Sequence, residues 1–142
     1  MPPRRDFNGC SEDEAHLCFY ERIQRSCESK PSSRSRAVEN IVYKKGQFLN
    51  ASLDKASDKN ERSSLVINSD GGVKIIVVQI AGLIARRILG FISANHNLEQ
   101  GERFGLIRFG SRVDIYMPLD AVTQCVIGDT VIAGESVLAS LN

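Results

Sequence analysis

The chain has 142 residues, 42% of them hydrophobic, with 18 Lys+Arg against 17 Asp+Glu, a formal net charge of +1 and no tryptophan. That length supports one domain with a hydrophobic core of its own. A pI near 7.7 gives no bulk electrostatic drive toward a nucleic acid, so none is expected as a partner.

Residues 1–36 are rich in Ser, Arg, Glu and Cys and hold a basic cluster, Arg22, Arg25, Lys30, Arg34 and Arg36. They show no sustained period of 2 or 3.6, which predicts an irregular arm with one short helix over 15–25. Met1 is followed by prolines and arginines rather than an apolar segment, so no secretory signal is read and a cytoplasmic protein is expected. Cys10, Cys18, Cys27 and Cys125 form no Cys-x-x-Cys pair and have no histidine at ligand spacing. Free thiols and no metal site are expected.

From residue 37 the character changes, and 37–142 reads as one all-β domain. Apolar runs rich in Val, Ile, Phe and Tyr alternate with Gly, Asn and Asp, predicting strands over 40–43, 64–67, 73–80, 84–92, 103–109, 112–117, 124–127 and 136–139. Ile84, Arg87, Ile88 and Phe91 also fit a helical face, but Gly82 and Gly90 bracket the run and favour a strand. The apolar stretch 75–85 ends at Arg86-Arg87 and falls short of the roughly 20 residues that cross a bilayer. Gly46, Gly101, Gly128 and Gly134 each stand before a polar residue in a turn, where glycine supplies the positive φ of tight hairpins. Small twisted sheets joined by glycine-rich hairpins predict a barrel-sandwich hybrid-like fold.

The segment that carries chemistry is Gly101-Glu102-Arg103-Phe104-Gly105-Leu106-Ile107-Arg108-Phe109-Gly110-Ser111-Arg112-Val113-Asp114. A Gly-Ser pair between two β runs is, by itself, turn punctuation. Together with Val78 through Ile88, with Tyr43 through Ser57, with Asn60-Glu61-Arg62, and with Gly128-Asp129 and Ala133-Gly134-Glu135, it resembles the short prokaryotic type of phosphatidylserine decarboxylase proenzyme. The resemblance runs from about Val38 to Ala139.

The resemblance implies that Gly110-Ser111 is a self-cleavage bond. The Ser111 hydroxyl attacks the Gly110 carbonyl, and an ester and then a dehydroalanine lead to an N-terminal pyruvoyl group, the only cofactor expected. Residues 37–110 would then belong to the larger chain and 111–142 to the smaller. The pyruvoyl ketone forms a Schiff base with the substrate amine and accepts electrons as carbon dioxide leaves, and phosphatidylethanolamine is released. The residue types suit this chemistry: Gly110 offers an unhindered carbonyl, Ser111 a nucleophile that needs a base, and the developing oxyanion needs fixed donors. Phe109, Arg112 and Tyr116 flank the reactive position as candidate substrate contacts. Arg112 reads either as a phosphate or carboxylate partner or as a solvated strand residue. A phospholipid substrate implies peripheral docking on the cytoplasmic side of a membrane. The head group, phosphatidylserine or its ether-lipid analogue, stays open.

One expected feature is missing. The family carries Phe-Asn-Val-His-Val-Asn-Arg shortly before the strand near Val38, and that histidine assists serine activation. This chain has Ile23-Gln24-Arg25-Ser26-Cys27-Glu28-Ser29 instead, and neither His16 nor His96 matches the motif. Codons permitted for these residues, ATT CAA CGT TCA TGT GAA TCG followed by the A of Lys30, give TTC AAC GTT CAT GTG AAT CGA when read one nucleotide later. That string encodes the expected motif. Residues 1–36 therefore read as an out-of-frame translation, with the frame regained near Arg36-Ala37, and the literal chain is expected to fail in processing itself.

Two other functions compete. Asp54-Lys55-Ala56 is the triplet of a lipoyl carrier domain, which would modify Lys55 at a hairpin tip. The other reading is a catalytically inactive remnant of the decarboxylase with a binding role.

Overall fold

Runs of β-branched residues with period 2 build the first sheet. The computed structural model describes residues 36–50, 56–68, 72–84, 87–99, 102–107, 112–126, 128–130 and 136–141. The strands are β1 (Arg36–Lys44), β2 (Arg62–Asn68), β3 (Lys74–Ile80), β4 (Ile88–Gly90), β5 (Asn97–Leu98), β6 (Gly105–Ile107), β7 (Arg112–Tyr116), β8 (Val122–Thr123) and β9 (Ala139–Ser140). A helical turn, α1 (Ala56–Lys59), precedes β2. The fold is all-β, as predicted: a five-stranded antiparallel sheet in the order β5-β1-β2-β3-β7, with two-stranded ribbons β4-β6 and β8-β9.

Alternation places Leu65, Ile67, Ile75, Val77 and Ile115 on one face, where they join Val38, Leu98, Phe104 and Leu138 in the main core. A bulge between Val38 and Asn40 shifts the β1 register. It lets Val38 and Ile41, three residues apart, serve the same core. A second cluster, Ala81, Ile88 and Ile107 with Phe48 and Val113 against it, packs the β4-β6 ribbon over the end of the sheet where β3 stops. Val113 touches both clusters, so the two cores meet at β7.

Several expectations need correction. The strand expected over 84–92 exists only at Ile88–Gly90, and Leu83-Ile84 forms a bend. The strand expected over 124–127 starts two residues earlier, at Val122–Thr123, and the Gln124 N–H donates to the Leu138 carbonyl at 2.9 Å as the next step of the β8-β9 register. Gly128 has the positive φ expected of it (95°), but Gly46 does not. Gly46 is needed for close approach: a Cβ there would press on the Lys59 carbonyl oxygen and lie 2.6 Å from Asn60 C and 2.7 Å from Glu61 N. The chain after β1 is therefore not a hairpin. It runs beside 59–61 through a parallel bridge, Gln47↔Asn60. The arm 1–35 with its expected helix, Lys55, Gly101 and Gly134 lie outside the described residues.

Asn60, 1% exposed, is the clamp of this strap. Its Oδ1 accepts from Leu49 N–H at 2.9 Å, and its Nδ2 donates to the carbonyls of Leu49 at 2.7 Å and Ala81 at 2.8 Å. At the other corner of the sheet, the His96 ring nitrogen Nε2 lies 2.6 Å from Glu102 Oε1, and Glu99 N–H donates to Glu102 Oε2 at 2.9 Å. The Glu99 N–H, followed by His96, holds the Glu102 carboxyl below the usual glutamate range.

Asn60→Ala leaves three backbone groups without that partner. We expect a loss of at least about 2 kcal/mol, since each buried unsatisfied group costs roughly 1–3 kcal/mol. Urea denaturation measures it as a lower midpoint at an unchanged slope.

Candidate active site

The chain leaves β6 at Ile107 and enters β7 at Arg112. Arg108, Phe109, Gly110 and Ser111, between them, lie outside the described residues. Both ends of this link are anchored in the second cluster, through Ile107 on one side and Val113 on the other. Ser111 directly precedes Arg112, and one trans peptide spans about 3.8 Å between Cα atoms. The register Ile80↔Arg112 fixes the end of the sheet at which β7 begins.

Arg112 is neither a solvated strand residue nor an open anion site. It is 8% exposed, and its Nε donates to Asp114 Oδ1 at 2.6 Å, with Asp114 3% exposed. Residues i and i+2 of a strand share a face, and here that face also carries Val78 and Ile80, which are directly opposite the pair in the β3 ladder. Two charges buried this deeply persist because they are paired. Tyr116 lies on the same face but four residues along β7, opposite Ile76. At about 3.3 Å per residue it stands roughly 13 Å from Arg112. Phe109, Gly110 and Ser111 lie outside the described residues, so of the sequence-derived candidates only Arg112 and Tyr116 are described.

Other groups gather at this end. Gln79, 4% exposed, lies under the ribbon, where a Cβ on Gly105 would come 3.1 Å from its Oε1. Ala81 N–H donates to the Glu61 carbonyl at 2.9 Å, continuing the ladder past Ile80. The Tyr43 hydroxyl donates to the Glu61 carboxylate. That bond first, then burial and the Glu61 charge, push the phenol up to about 12, while Arg87 pulls it the other way. Among the described residues no group of three or more His, Cys, Asp or Glu could hold a metal ion.

His96 belongs to the opposite corner. It precedes β5, which pairs with β1 at Arg36 and Ala37, whereas Arg112 sits with Ile80 and Arg62 at the other end. Six residues of about 3.3 Å along β2, from Arg62 to Asn68, put roughly 20 Å between the two ends. His96 therefore stands at the opposite end of the sheet from the start of β7.

Sequence reasoning missed Asp114 as the partner of Arg112, although opposite charges at i and i+2 of a strand were visible. It also missed Asn60 as a clamp and the Tyr43–Glu61 pair. A family model described as phosphatidylserine decarboxylase matches residues 34–139. No solved structure matches the chain.

Asp114→Ala strands the Arg112 charge, and we expect a loss of about 3–5 kcal/mol in chemical denaturation. The paired replacement Arg112→Met with Asp114→Leu should recover most of it. For Tyr43, absorbance titration should show one phenol still protonated well above the ordinary tyrosine value of 10.0, consistent with its shift to about 12. Glu61→Gln should bring that phenol back down.

Proposed function

The chain belongs to the phosphatidylserine decarboxylase family, and we propose that it is the core of a pyruvoyl-dependent enzyme that converts phosphatidylserine to phosphatidylethanolamine after breaking its own Gly110-Ser111 bond. The observation that carries this reading is that the family match spans both sides of Gly110-Ser111, immediately before a residue locked into the sheet.

The residues fit the group. Ser111 Oγ adds to the Gly110 carbonyl carbon, the C–N bond breaks with its proton returned to nitrogen, and an ester replaces the amide. Loss of the Ser111 Cα proton then expels the Gly110 carboxylate and leaves dehydroalanine. Uptake of water and release of ammonia complete the ketone. The buried Arg112–Asp114 pair holds the residue that follows the new terminus, and so limits how far that terminus can move from the Ile80 end of the sheet. Once formed, the pyruvoyl group supplies an electron sink for the departing substrate carboxylate.

Three parts of the reading concern the surroundings of the bond. The pieces 37–110 and 111–142 stay together as larger and smaller chains. An insoluble lipid substrate places the protein peripherally on the cytoplasmic face of a membrane. The base that activates Ser111 comes from the upstream segment in its alternative frame, since His96 is in the far corner of the sheet.

A second reading, an inactive remnant, has its own support. The family match starts at residue 34, and residues 1–36 contain no Phe-Asn-Val-His-Val-Asn-Arg string. Both readings disfavour the lipoyl carrier: a helical turn, Ala56–Lys59, directly follows Lys55, where a carrier hairpin would continue as a strand.

The literal chain should run as one 15.7 kDa band on a denaturing gel. With the upstream segment restored in the alternative frame, mass spectrometry should find a split between Gly110 and Ser111 and a carbonyl-reactive terminus on the smaller piece. Ser111→Ala in that protein should stay whole. A restored protein that never splits, or that releases no carbon dioxide from phosphatidylserine in detergent micelles, would sink the enzymatic reading. An added lipoyl mass on Lys55 would favour the carrier.

A further inference from the structure

The apolar run that ends β3 does not stay buried. Ala81 is fully enclosed, but Leu83 is 52% exposed and Ile84 77% exposed, the highest value among the large hydrophobics of the described residues. Their bend directly follows the point where β3 and β7 part, so this apolar prong emerges at the end of the sheet that holds Arg112.

Cations surround it. The register Lys44↔Arg62↔Ile80 brings the ends of β1 and β3 to one rim. Lys44, Lys45, Lys59 and Arg87, on the segments meeting there, are all exposed. Two carboxylates share these segments, Glu61 beside Tyr43 and Asp58 3.8 Å from Arg62, so five cations, Arg62 included, stand against two anions. Tyr43, half-exposed, adds an aromatic ring with a polar tip, the kind of side chain that settles at a membrane interface.

We infer that this rim docks on an anionic phospholipid bilayer, with Leu83 and Ile84 entering the acyl boundary and Lys44, Lys45, Lys59 and Arg87 facing lipid phosphates. The inference rests on the lipid-substrate reading and deepens it by naming the surface that meets the bilayer. Neither element suffices alone. Two apolar side chains bind a membrane weakly and reversibly, and a few lysines lose their attraction within a Debye length. Together they supply the two signals that stable peripheral attachment takes. Charge complementarity selects the bilayer over a neutral apolar partner. Docking in this pose also turns the start of β7 toward the lipid head groups.

The absence of tryptophan permits a direct test on the full chain. Ile84→Trp introduces a single indole at the prong, and Leu119→Trp introduces one at a comparably exposed position (70%) beyond the other end of β7. Vesicles of phosphatidylcholine mixed with phosphatidylglycerol should shift the Ile84→Trp emission to the blue, while pure phosphatidylcholine vesicles should not. The Leu119→Trp emission should stay unchanged. Lys44→Glu with Lys45→Glu should lower vesicle co-sedimentation at least about tenfold, with circular dichroism unaltered.

No shift on the mixed vesicles, or an equal shift at both positions, would overturn the inference. So would an Ile84→Trp emission already blue without lipid. If that blue emission depended on protein concentration, a second copy covers the prong, and if it appeared only after restoring the upstream segment, that segment does. Phosphatidylglycerol has no amine or carboxylate to react, so docking is read independently of catalysis. The decarboxylase reading fails by its own assay, carbon dioxide release in micelles.

Discussion

The candidate site depends on one ladder, the five register pairs from Ile76↔Tyr116 to Ile80↔Arg112 that join β7 to β3. β3 is the most enclosed strand, with Val77, Val78, Gln79 and Ile80 all buried, and β7 is an outer strand of the sheet that begins right after Gly110-Ser111. If that bond opens, β7 becomes the first strand of a separate polypeptide, and nothing covalent returns it to β3. Ladder hydrogen bonds contribute roughly 0.5–1.5 kcal/mol each. The rest of the hold comes from Ile115 in the main core, Val113 between the two cores and the enclosed Arg112–Asp114 pair. β7 is thus held by its side chains as well as by its connection.

The same sheet acts as a ruler. Its two occupied corners hold different chemistry: a histidine–glutamate contact beside β5, and a buried arginine–aspartate pair beside β3. The first closes the loop between β5 and β6. Because the Glu102 carboxyl is held below its usual range, the stabilisation it gives is present above the ordinary glutamate pKa and fades as pH falls through the lowered value. That contact lies at the opposite end of the sheet from Arg112, so acid sensitivity in the loop is separate from the start of β7.

How much of this was legible in the sequence follows from what period and composition can report. β1, β2, β3 and β7 were readable because alternation is enforced wherever one face of a strand is buried. β5 and β8 were not, since two residues are too few to show a period, and β9 met its predicted run only at Ala139, whereas β4 and β6 are short pieces inside the longer runs predicted over 84–92 and 103–109. Leu83 and Ile84 look identical in sequence to the buried residues before them, and only the fold reveals that the chain has turned into solvent. Arg112 reads as solvated because arginine usually is; its burial becomes readable only when Asp114, two positions on, is recognised as sharing its face. The Gly110-Ser111 pair was legible only through resemblance, since no spacing rule separates it from an ordinary turn.

Gly46 carries a consequence of another kind. Its neighbours at 59–61 are main-chain atoms, which cannot rotate aside as a side chain would. Every substitution there, alanine included, must push one segment of polypeptide off another and strain the Asn60 clamp that joins them. A side chain of any size at this position therefore unseats the whole strap rather than one contact.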